Sequence, residues 1–218
     1  MIKYLFLDMG GTLIEPHPSV GEIYADVAAV HGLKISAGIL NQKFRDVWAR
    51  TKGNRQTLEK SWWRSIVEEI FSPYKFDNKE AFFKDLYEEF SKKERWREFP
   101  EVRETLNKLK QKQISLAVAS NWDERLPSLL RKMELEVFFD HQFISYALEV
   151  SKPDPRFFSR ALETIGVKSH EVIHVGDDDH EDRGAEQVGI KFLLIDRKKK
   201  KEKSTNVIHS LNDILEFV

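Results

Sequence analysis

Residues 4–12 of the chain read YLFLDMGGT, an apolar run that ends in a carboxylate and two glycines. The run is typical of a short buried β-strand, and this strand would end just before Asp8. The glycine backbone that follows can turn sharply and can come close to a bound anion. Because ligands bind at the carboxyl ends of the strands in a parallel α/β sheet, we expect Asp8 to lie at a functional edge.

Four further apolar runs are bounded by polar turns and helical patterns in the same way. They are Ile114–Ala119, Gln142–Ser145, Val172–Val175 and Lys191–Ile195. The run at 142–145 is the least distinct, because Phe138 and Phe139 also fit the end of a helix, and we place it at an edge of the sheet. Strands that alternate with helices predict an α/β fold, here with a doubly wound parallel sheet of five strands.

Residues 15–98 interrupt this alternation, because they hold no convincing strand. Apolar residues recur there at helical spacing in four places, around Val20–Val27, Phe44–Trp48, Trp62–Ile70 and Phe82–Phe90. We expect the many aromatic side chains of this segment to fill a small core. The sequence therefore predicts a Rossmann-like core of residues 1–14 and 99–218, and an all-helical cap of residues 15–98.

The composition excludes several classes of function. The 218 residues include no Cys, which rules out disulfides, thiolate catalysis and Cys-ligated zinc. The 35 basic and 36 acidic residues nearly balance, so a nucleic-acid partner is not expected. No stretch approaches the roughly 20 apolar residues that span a bilayer, and little chain precedes the first strand for a signal peptide. We expect a cytoplasmic protein without a membrane partner, as a monomer or homodimer.

Polar residues stand at the ends of the other predicted strands. Ser120 and Asn121 follow the second strand, Lys152 lies in the loop after the next, and residues 176–182 read GDDDHED. These residues would meet Asp8 at one edge of the sheet. Carboxylates that are crowded together repel one another unless a hard cation lies among them, and Mg²⁺ with oxygen ligands is the natural occupant.

In their order and spacing these residues resemble the motifs of the haloacid dehalogenase-like (HAD) hydrolase superfamily, subfamily I, whose helical cap follows the first motif. That family has an Asp-x-Asp-x-Thr motif, a Ser or Thr after strand two, a Lys before strand four and an acidic Gly-Asp loop. Residues 8–12, Ser120, Lys152 and residues 176–177 match these in turn. The resemblance covers essentially the whole chain and implies a Mg²⁺-dependent phosphatase that acts on a small phosphorylated metabolite.

The resemblance also implies roles for individual residues. Asp8 would attack phosphorus and form an aspartyl-phosphate that water then hydrolyses. Lys152 would neutralise both the attacking carboxylate and the phosphate, and Thr12 would fix the loop that carries Asp8. The implied substrate-binding groups are the Ser120 hydroxyl, the backbone N–H of Asn121 and the backbone of Gly11.

The implied metal ligands are Asp8, the backbone carbonyl of Gly10, Asp177 and Asp182. Asp182 would hold a metal-bound water or orient Lys152. Its separation from the following Gly-Ala pair is one residue shorter than the family's usual spacing, which Glu181 has instead. We favour Asp182 because its distance from Asp177 along the chain is the usual one. The other competitors for this position are Asp178 and Asp179.

Gly10 departs from the family's phosphatases, which carry there a second Asp that protonates the leaving oxygen and later activates water. The backbone carbonyl remains, but a positioned acid and base worth roughly 10²–10⁴ in rate is missing. One interpretation is a substrate whose leaving group needs no proton, such as an acyl phosphate, an anhydride or an activated aryl phosphate. Another is a substitute acid, with His17, Glu15 or His180 nearest in sequence. In the third, the chain is a non-catalytic module that binds phosphate or Mg²⁺.

Two other reactions of the superfamily also proceed without that second Asp. The 2-haloacid dehalogenases need no magnesium and lack a Gly-Asp loop, so residues 176–177 argue against dehalogenation. Phosphonate-cleaving members keep magnesium but need a cap lysine that forms a Schiff base. The candidates for it here are Lys34, Lys43 and Lys52.

Two further features have a structural interpretation. His174 lies inside a predicted strand, and we expect it to pack there. The basic run from Arg197 to Lys203 follows the last predicted strand, and we interpret it as a mobile, solvated loop rather than an anion-attracting patch.

Overall fold

The computed structural model describes residues 1–51 and 60–218. The chain forms two compact units, the first from Met1–Glu15 with Glu98–Val218 and the second from Pro16–Arg97. Among the described residues, no helix combines the length and the apolar character that crossing a bilayer requires.

The described residues form eight strands. They are β1 (Tyr4–Leu7), β2 (Ile14–Pro16), β3 (Trp96–Glu98), β4 (Ser115–Ser120), β5 (His141–Ile144), β6 (Val172–Gly176), β7 (Lys191–Ile195) and β8 (Val207–Ile208). β2 pairs with β3 in a two-stranded sheet, and the other strands form a six-stranded sheet in the order β5-β4-β1-β6-β7-β8. All neighbouring strands in the larger sheet run parallel.

The parallel α/β fold that the sequence predicts is confirmed. All five predicted strands form, and the least distinct of them, β5, lies at an edge of the sheet as expected. The predicted number of strands is too low by one, because β8 pairs with β7 as a sixth strand. Residues 207–208 are too few to make an apolar run that a sequence pattern could detect.

Strand β1 lies inside the sheet, where it determines the position of Asp8. Leu7 pairs in register with Val118 of β4 on one side and with Val175 of β6 on the other. From β1 the chain runs to β4 and β5, and then crosses to β6 on the opposite side. The strand order therefore reverses beside β1, which is where open α/β sheets bind ligands.

The described residues also form eight α-helices. They are α1 (Val20–Val30), α2 (Ala37–Thr51), α3 (Lys60–Phe71), α4 (Lys79–Glu89), α5 (Val102–Gln111), α6 (Leu126–Lys132), α7 (Ser145–Leu148) and α8 (Pro155–Ile165). Helix α8 begins after Asp154, whose side chain accepts a hydrogen bond from the N–H of Arg156, and it ends at Gly166 with φ +68°. Its Phe157 and Phe158 pack in one core with Phe6 of β1, and this fixes the loop before α8.

The second unit contains α1 to α4, which correspond to the four helical patterns in the sequence. Buried aromatic side chains form much of its core. The ring of Phe71 lies 5.7 Å from that of Tyr24 and 4.8 Å from that of Phe82, measured between centroids. The aromatic residues of this segment therefore fill a core, as expected.

Two glycines in this unit provide a matched test of helix packing. A Cβ at Gly21 of α1 would lie 2.3 Å from the carbonyl oxygen of Ala37 and 2.6 Å from the backbone nitrogen of Asn41 in α2. A Cβ at Gly38 of α2 would meet nothing closer than Ser36 Oγ at 3.6 Å. We predict that Gly21→Ala lowers the free energy of unfolding by about 1–3 kcal/mol, because two backbones must separate.

The control, Gly38→Ala, should leave that free energy unchanged or raise it by about 0.5–1 kcal/mol, because alanine is the better helix former. Urea unfolding of both variants measures the difference. Equal effects in the two variants would contradict the observed packing of α1 on α2.

Candidate active site

The ends of three adjacent strands bring the central residues of the candidate site together. Asp8 directly follows β1, and its backbone N–H donates to the carbonyl of Val175 in β6 at 2.9 Å. Ser120 is the last residue of β4 and is 1% exposed. Its hydroxyl is hydrogen-bonded to the Asp8 carboxylate. Asp177 follows directly after β6.

The side chain of Lys152 links two carboxylates at this edge. It is 2% exposed, and its Nζ lies 2.8 Å from Asp8 Oδ1 and 2.5 Å from Asp182 Oδ1. A buried ammonium is stable only when it is paired and hydrogen-bonded, and these two carboxylates supply both. Residues that are 144 positions apart in the chain are therefore in direct contact.

The loop that carries Lys152 is held by Asn121. The Asn121 amide accepts a hydrogen bond from the backbone N–H of Lys152 and donates one to its carbonyl, both at 2.8 Å. The same amide nitrogen donates to Glu181 Oε2 at 3.0 Å. The side chain of Asn121 is thus a clamp on the Lys152 backbone, a role that sequence reasoning missed.

Asp182, rather than Glu181, lies beside Lys152. Its Oδ1 accepts from Lys152 and is 2.8 Å from Nε2 of His174, and its Oδ2 accepts from the backbone N–H of Asp178 at 3.0 Å. A Cβ at Gly176 would lie 2.0 Å from Asp182 Oδ2, so only glycine leaves room for this carboxylate. The position of Asp182 therefore depends on four other residues.

The side chains of Asp178 and Asp179 have other partners. Asp178 Oδ1 accepts from the backbone N–H groups of His180 and Glu181. Asp179 forms ion pairs with Arg183 and Lys201. Both side chains stabilise the turn itself, and Asp182 is the one that extends to Lys152.

Gly11 and Asp177 fit together closely. Gly11 has φ +75°, and a Cβ on it would lie 2.2 Å from Asp177 Oδ2. Any side chain at position 11 would therefore displace the carboxylate and strain the backbone. Among the described residues, no group donates a hydrogen bond to the Asp177 carboxylate, which lies close to the carboxylates of Asp8 and Asp182.

Three carboxylates converge at this point. Asp8, Asp177 and Asp182 each offer an oxygen, and these oxygens lie within 4.8 Å of one another. Oxygen ligands of this kind suit a hard divalent cation such as Mg²⁺. Because Asp182 already accepts three hydrogen bonds, Asp8 and Asp177 are the better placed of the three to take a metal ion.

The pKa shifts follow from this arrangement. Burial raises the pKa of Asp8, with Asp182 adding to the shift and Lys152 opposing it. Burial acts against a charged Lys152, but the charges of Asp182 and Asp8 outweigh it and raise its pKa. Burial also acts against a charged Asp182, yet Lys152 and a hydrogen bond from His174 hold its pKa well below the usual value. The loss of water around the Asp177 carboxylate raises its pKa strongly, and the negative charges of Asp8 and Asp182 add to this shift. The raised pKa values of Asp8 and Asp177 thus reflect burial and the close approach of several carboxylates.

Arg197 holds the loop of residues 8–14 from the other side. Its guanidinium donates to the carbonyl of Gly11 at 3.2 Å and to that of Thr12 at 2.5 Å. It also pairs with Glu101 at 2.7 Å and stacks 3.5 Å above the ring of Phe99. The interpretation of residues 197–203 as a mobile loop is therefore wrong for Arg197, whose side chain is only 15% exposed.

Thr12 is fully buried, and its hydroxyl has no hydrogen-bond partner within the described part of the chain. The loop is held at Thr12 through its backbone carbonyl, which accepts from Arg197. The backbone N–H of Leu13 closes the turn by donating to the carbonyl of Met9 at 2.8 Å. The hydroxyl of Thr12 thus contributes none of the contacts that hold this loop.

Gly10 lies next to the half-buried indole of Trp122. A Cβ at position 10 would lie 3.6 Å from Cζ3 of that ring, an ordinary contact, so a side chain could be accommodated. The hydroxyl of Ser145 contacts both the backbone N–H and the carbonyl of Trp122 at 3.1 Å. The ring therefore stands on a fixed loop beside the position where the second Asp of the family would be.

The remaining candidates are distributed over the two units. Glu15 and His180 belong to the first unit, and the His180 side chain is exposed. His17, Lys34 and Lys43 belong to the second unit. Lys52 lies outside the described residues.

Comparison with known proteins points to one family. The model of haloacid dehalogenase-like hydrolases matches residues 2–189. The chain is 31% identical over 205 residues to the haloacid dehalogenase-like hydrolase domain-containing protein 3 of Mus musculus, with 89% of this chain and 82% of that protein covered. It is 28% identical over 215 residues to the phosphorylated carbohydrates phosphatase of Thermotoga maritima, covering 97% and 88%.

A solved structure shares the fold at lower identity. The L-2-haloacid dehalogenase from Xanthobacter autotrophicus superposes with a TM-score of 0.80 at 20% identity, covering 100% of this chain and 98% of that one. At that identity the similarity concerns the fold alone.

Replacing Arg197 by Met tests whether this residue holds the loop of residues 8–14. We predict that Arg197→Met lowers the free energy of unfolding by about 1–3 kcal/mol, because Glu101 loses its partner and two carbonyls lose a charged donor. The matched control is Lys200→Met, an exposed lysine of the same basic run, which should change that free energy by less than about 0.5 kcal/mol. Calorimetric melting of both variants measures this, and similar melting temperatures would contradict the assignment.

Proposed function

Because this chain belongs to the haloacid dehalogenase-like hydrolase family, we propose that it is a divalent-metal-dependent phosphatase that acts through an aspartyl-phosphate at Asp8. The chain is a hydrolase by its family. The observation that carries the proposal is the buried contact of Lys152 with Asp8 and Asp182, beside the carboxylate of Asp177. The substrate is a small phosphorylated metabolite.

Asp8 is suited to attack phosphorus. Its carboxylate lies at the end of a central strand, where the Ser120 hydroxyl and the Lys152 ammonium fix its orientation. The same ammonium offsets the repulsion between the attacking carboxylate and the phosphate. Attack forms a bond from Asp8 to phosphorus and releases the leaving group, and water then cleaves the acyl phosphate to restore the carboxylate.

Asp8, Asp177 and the backbone carbonyl of Gly10 would hold Mg²⁺. When bound, the ion supplies charge screening and polarises a phosphoryl oxygen. The donor set fits, because carboxylate and carbonyl oxygens are the ligands that Mg²⁺ prefers and because a cation would relieve the crowding that raises the pKa of Asp177. Asp182 is left with the task of orienting Lys152.

The favoured substrates are those whose leaving group departs without a proton, because position 10 offers no acid. Acyl phosphates, anhydrides and activated aryl phosphates have this property. The relative in Thermotoga maritima is named a phosphatase of phosphorylated carbohydrates, which supports phosphoryl chemistry here. Dehalogenation of a 2-haloacid needs no metal ion. The carboxylates that crowd around Asp177 suit a metal ion, and they therefore argue against a 2-haloacid substrate.

A non-catalytic module that binds Mg²⁺ or phosphate is the second candidate, and the specific observation that favours it is Gly10. A phosphonate hydrolase would need a cap lysine at the site, and Lys34 and Lys43 provide no specific indication of it. Turnover of acetyl phosphate separates a phosphatase from a binding module.

Mass spectrometry of the intact protein with acetyl phosphate tests the nucleophile. With Mg²⁺ we predict turnover and a phosphate-sized mass gain, and Asp8→Asn should abolish both because an amide does not attack phosphorus. The matched control is Asp179→Asn, an exposed acid of the Gly-Asp loop, which should retain turnover. Chelation of the metal should stop the reaction in the unmutated protein and in Asp179→Asn. Turnover that persists in Asp8→Asn would refute the proposed nucleophile, and phosphate binding without turnover or mass gain would indicate the binding module.

Restoring an acid at position 10 tests the proposed substrate preference. We predict that Gly10→Asp raises the rate of glycerol phosphate hydrolysis by about 10²-fold or more, because a positioned carboxyl can protonate a poor leaving group. Gly10→Asn, which has the same shape and no acid, should not accelerate this reaction. Acetyl phosphate turnover should change much less in either variant. Steady-state rates on both substrates decide the matter, and equal rates for the Asp and Asn variants on glycerol phosphate would contradict the proposal.

A further inference from the structure

The ring of His174 contacts the buried ion pair of the site. It lies in β6 and is 0% exposed. Its Nε2 is 2.8 Å from Asp182 Oδ1, the same oxygen that accepts from Lys152, and its Nδ1 is 3.1 Å from the carbonyl oxygen of Phe6. Both ring nitrogens face oxygen atoms, and because a carboxylate oxygen accepts hydrogen bonds, Nε2 is the donor in the contact with Asp182. His174 therefore does more than pack in its strand.

The frame around this ring is rigid. Strands β1 and β6 pair Phe6 with His174 in register, so the carbonyl that meets Nδ1 belongs to the strand that ends at Asp8. The ring centroids of Phe158 and Phe192 lie 5.0 and 6.0 Å from that of His174. Dense packing of this kind leaves a side chain few alternative rotamers. The Nε2 atom is consequently a fixed donor directed at Asp182.

Asp182 needs this donor in order to hold its orientation. The backbone N–H of Asp178 binds Oδ2, whereas the other donor to Oδ1 besides His174 is the flexible side chain of Lys152. The contact with His174 fixes Oδ1 as well. Lys152 is a long, flexible side chain, and its ammonium lies where the two carboxylates hold it.

We propose that His174 is a positioning residue, which acts through Asp182 to hold the ammonium of Lys152 against Asp8. Its catalytic consequence rests on the phosphatase function proposed above. Loss of a residue that orients a functional group typically lowers activity by about 10–100-fold, and we expect a loss of that size here.

Two amide substitutions of His174 distinguish the roles of its two ring nitrogens. In His174→Gln the side-chain amide extends to the position of Nε2 and can still donate to Asp182. In His174→Asn the shorter amide takes the position of Nδ1, keeps the contact with the Phe6 carbonyl and loses the one with Asp182. We predict that kcat for acetyl phosphate falls about 10–100-fold in the Asn variant and less than about 5-fold in the Gln variant. Assays are run below the melting temperatures of both proteins.

A double-mutant cycle with Asp182→Asn distinguishes positioning from general destabilisation. If His174 acts through Asp182, His174→Asn causes little further loss of kcat in the Asp182→Asn background. A structural role elsewhere would lower kcat by the same factor in both backgrounds, which would overturn the proposal.

Crystal structures of the Gln and Asn variants give a readout that does not depend on activity. The proposal expects the Lys152 Nζ to Asp8 Oδ1 contact to persist in the Gln variant, and expects a rotated Asp182 with a displaced Lys152 in the Asn variant. If the unmutated protein turns over no phosphorylated substrate, the phosphatase function fails, and these structures still decide the role of His174. Unchanged positions of Asp182 and Lys152 in the Asn variant, or equal kcat values for the two variants, would refute it.

Discussion

The contact of the Lys152 ammonium with Asp8 and Asp182 is the interaction on which the rest of the site depends. A buried ammonium without partners would destabilise the fold strongly, so the two carboxylates must stay in place. Asp177 lies close to both carboxylates, and burial together with their negative charges raises its pKa. The carboxylates that stabilise Lys152 thus also belong to a group of oxygen ligands that suits a divalent cation.

The sheet brings this charge cluster together from distant parts of the chain. Asp8 and Asp177 follow neighbouring strands, and Ser120 ends the strand on the other side of β1. Backbone clamps then fix the segments that no strand holds. Asn121 binds both backbone groups of Lys152, and Arg197 binds the carbonyls of the loop after Asp8. The geometry of the site is therefore set by hydrogen bonds to main-chain atoms as much as by the charged side chains themselves.

The sequence predicts the α/β fold well, because its strands are apolar runs and polar motifs follow them. It also predicts which residues the structure brings together at the sheet edge, from Asp8 to Asp182. It does not reveal β8, whose two residues make no pattern. The choice of Asp182 over Glu181 depends on the space above Gly176, which only the folded chain defines.

The supporting residues are harder to predict from sequence, for a physical reason. His174 looks like any strand residue until Asp182 is seen on the same side, and Arg197 looks like the start of a basic loop. The contact of Arg197 with Gly11 joins residues 186 positions apart, and no local pattern encodes such a pairing. Only the rule that strand ends share one edge could have suggested it, since Arg197 closely follows β7.

The central claim is that Asp8 and Asp177 share one divalent ion while Lys152 stays on Asp8 and Asp182. Anomalous X-ray diffraction from crystals soaked in Mn²⁺, which accepts the same oxygen ligands as Mg²⁺, tests this most directly. The account predicts a single anomalous peak between the carboxylates of Asp8 and Asp177, with Lys152 unmoved. A peak bound by Asp182 with Lys152 displaced, or no peak at this edge of the sheet at saturating Mn²⁺, would contradict it.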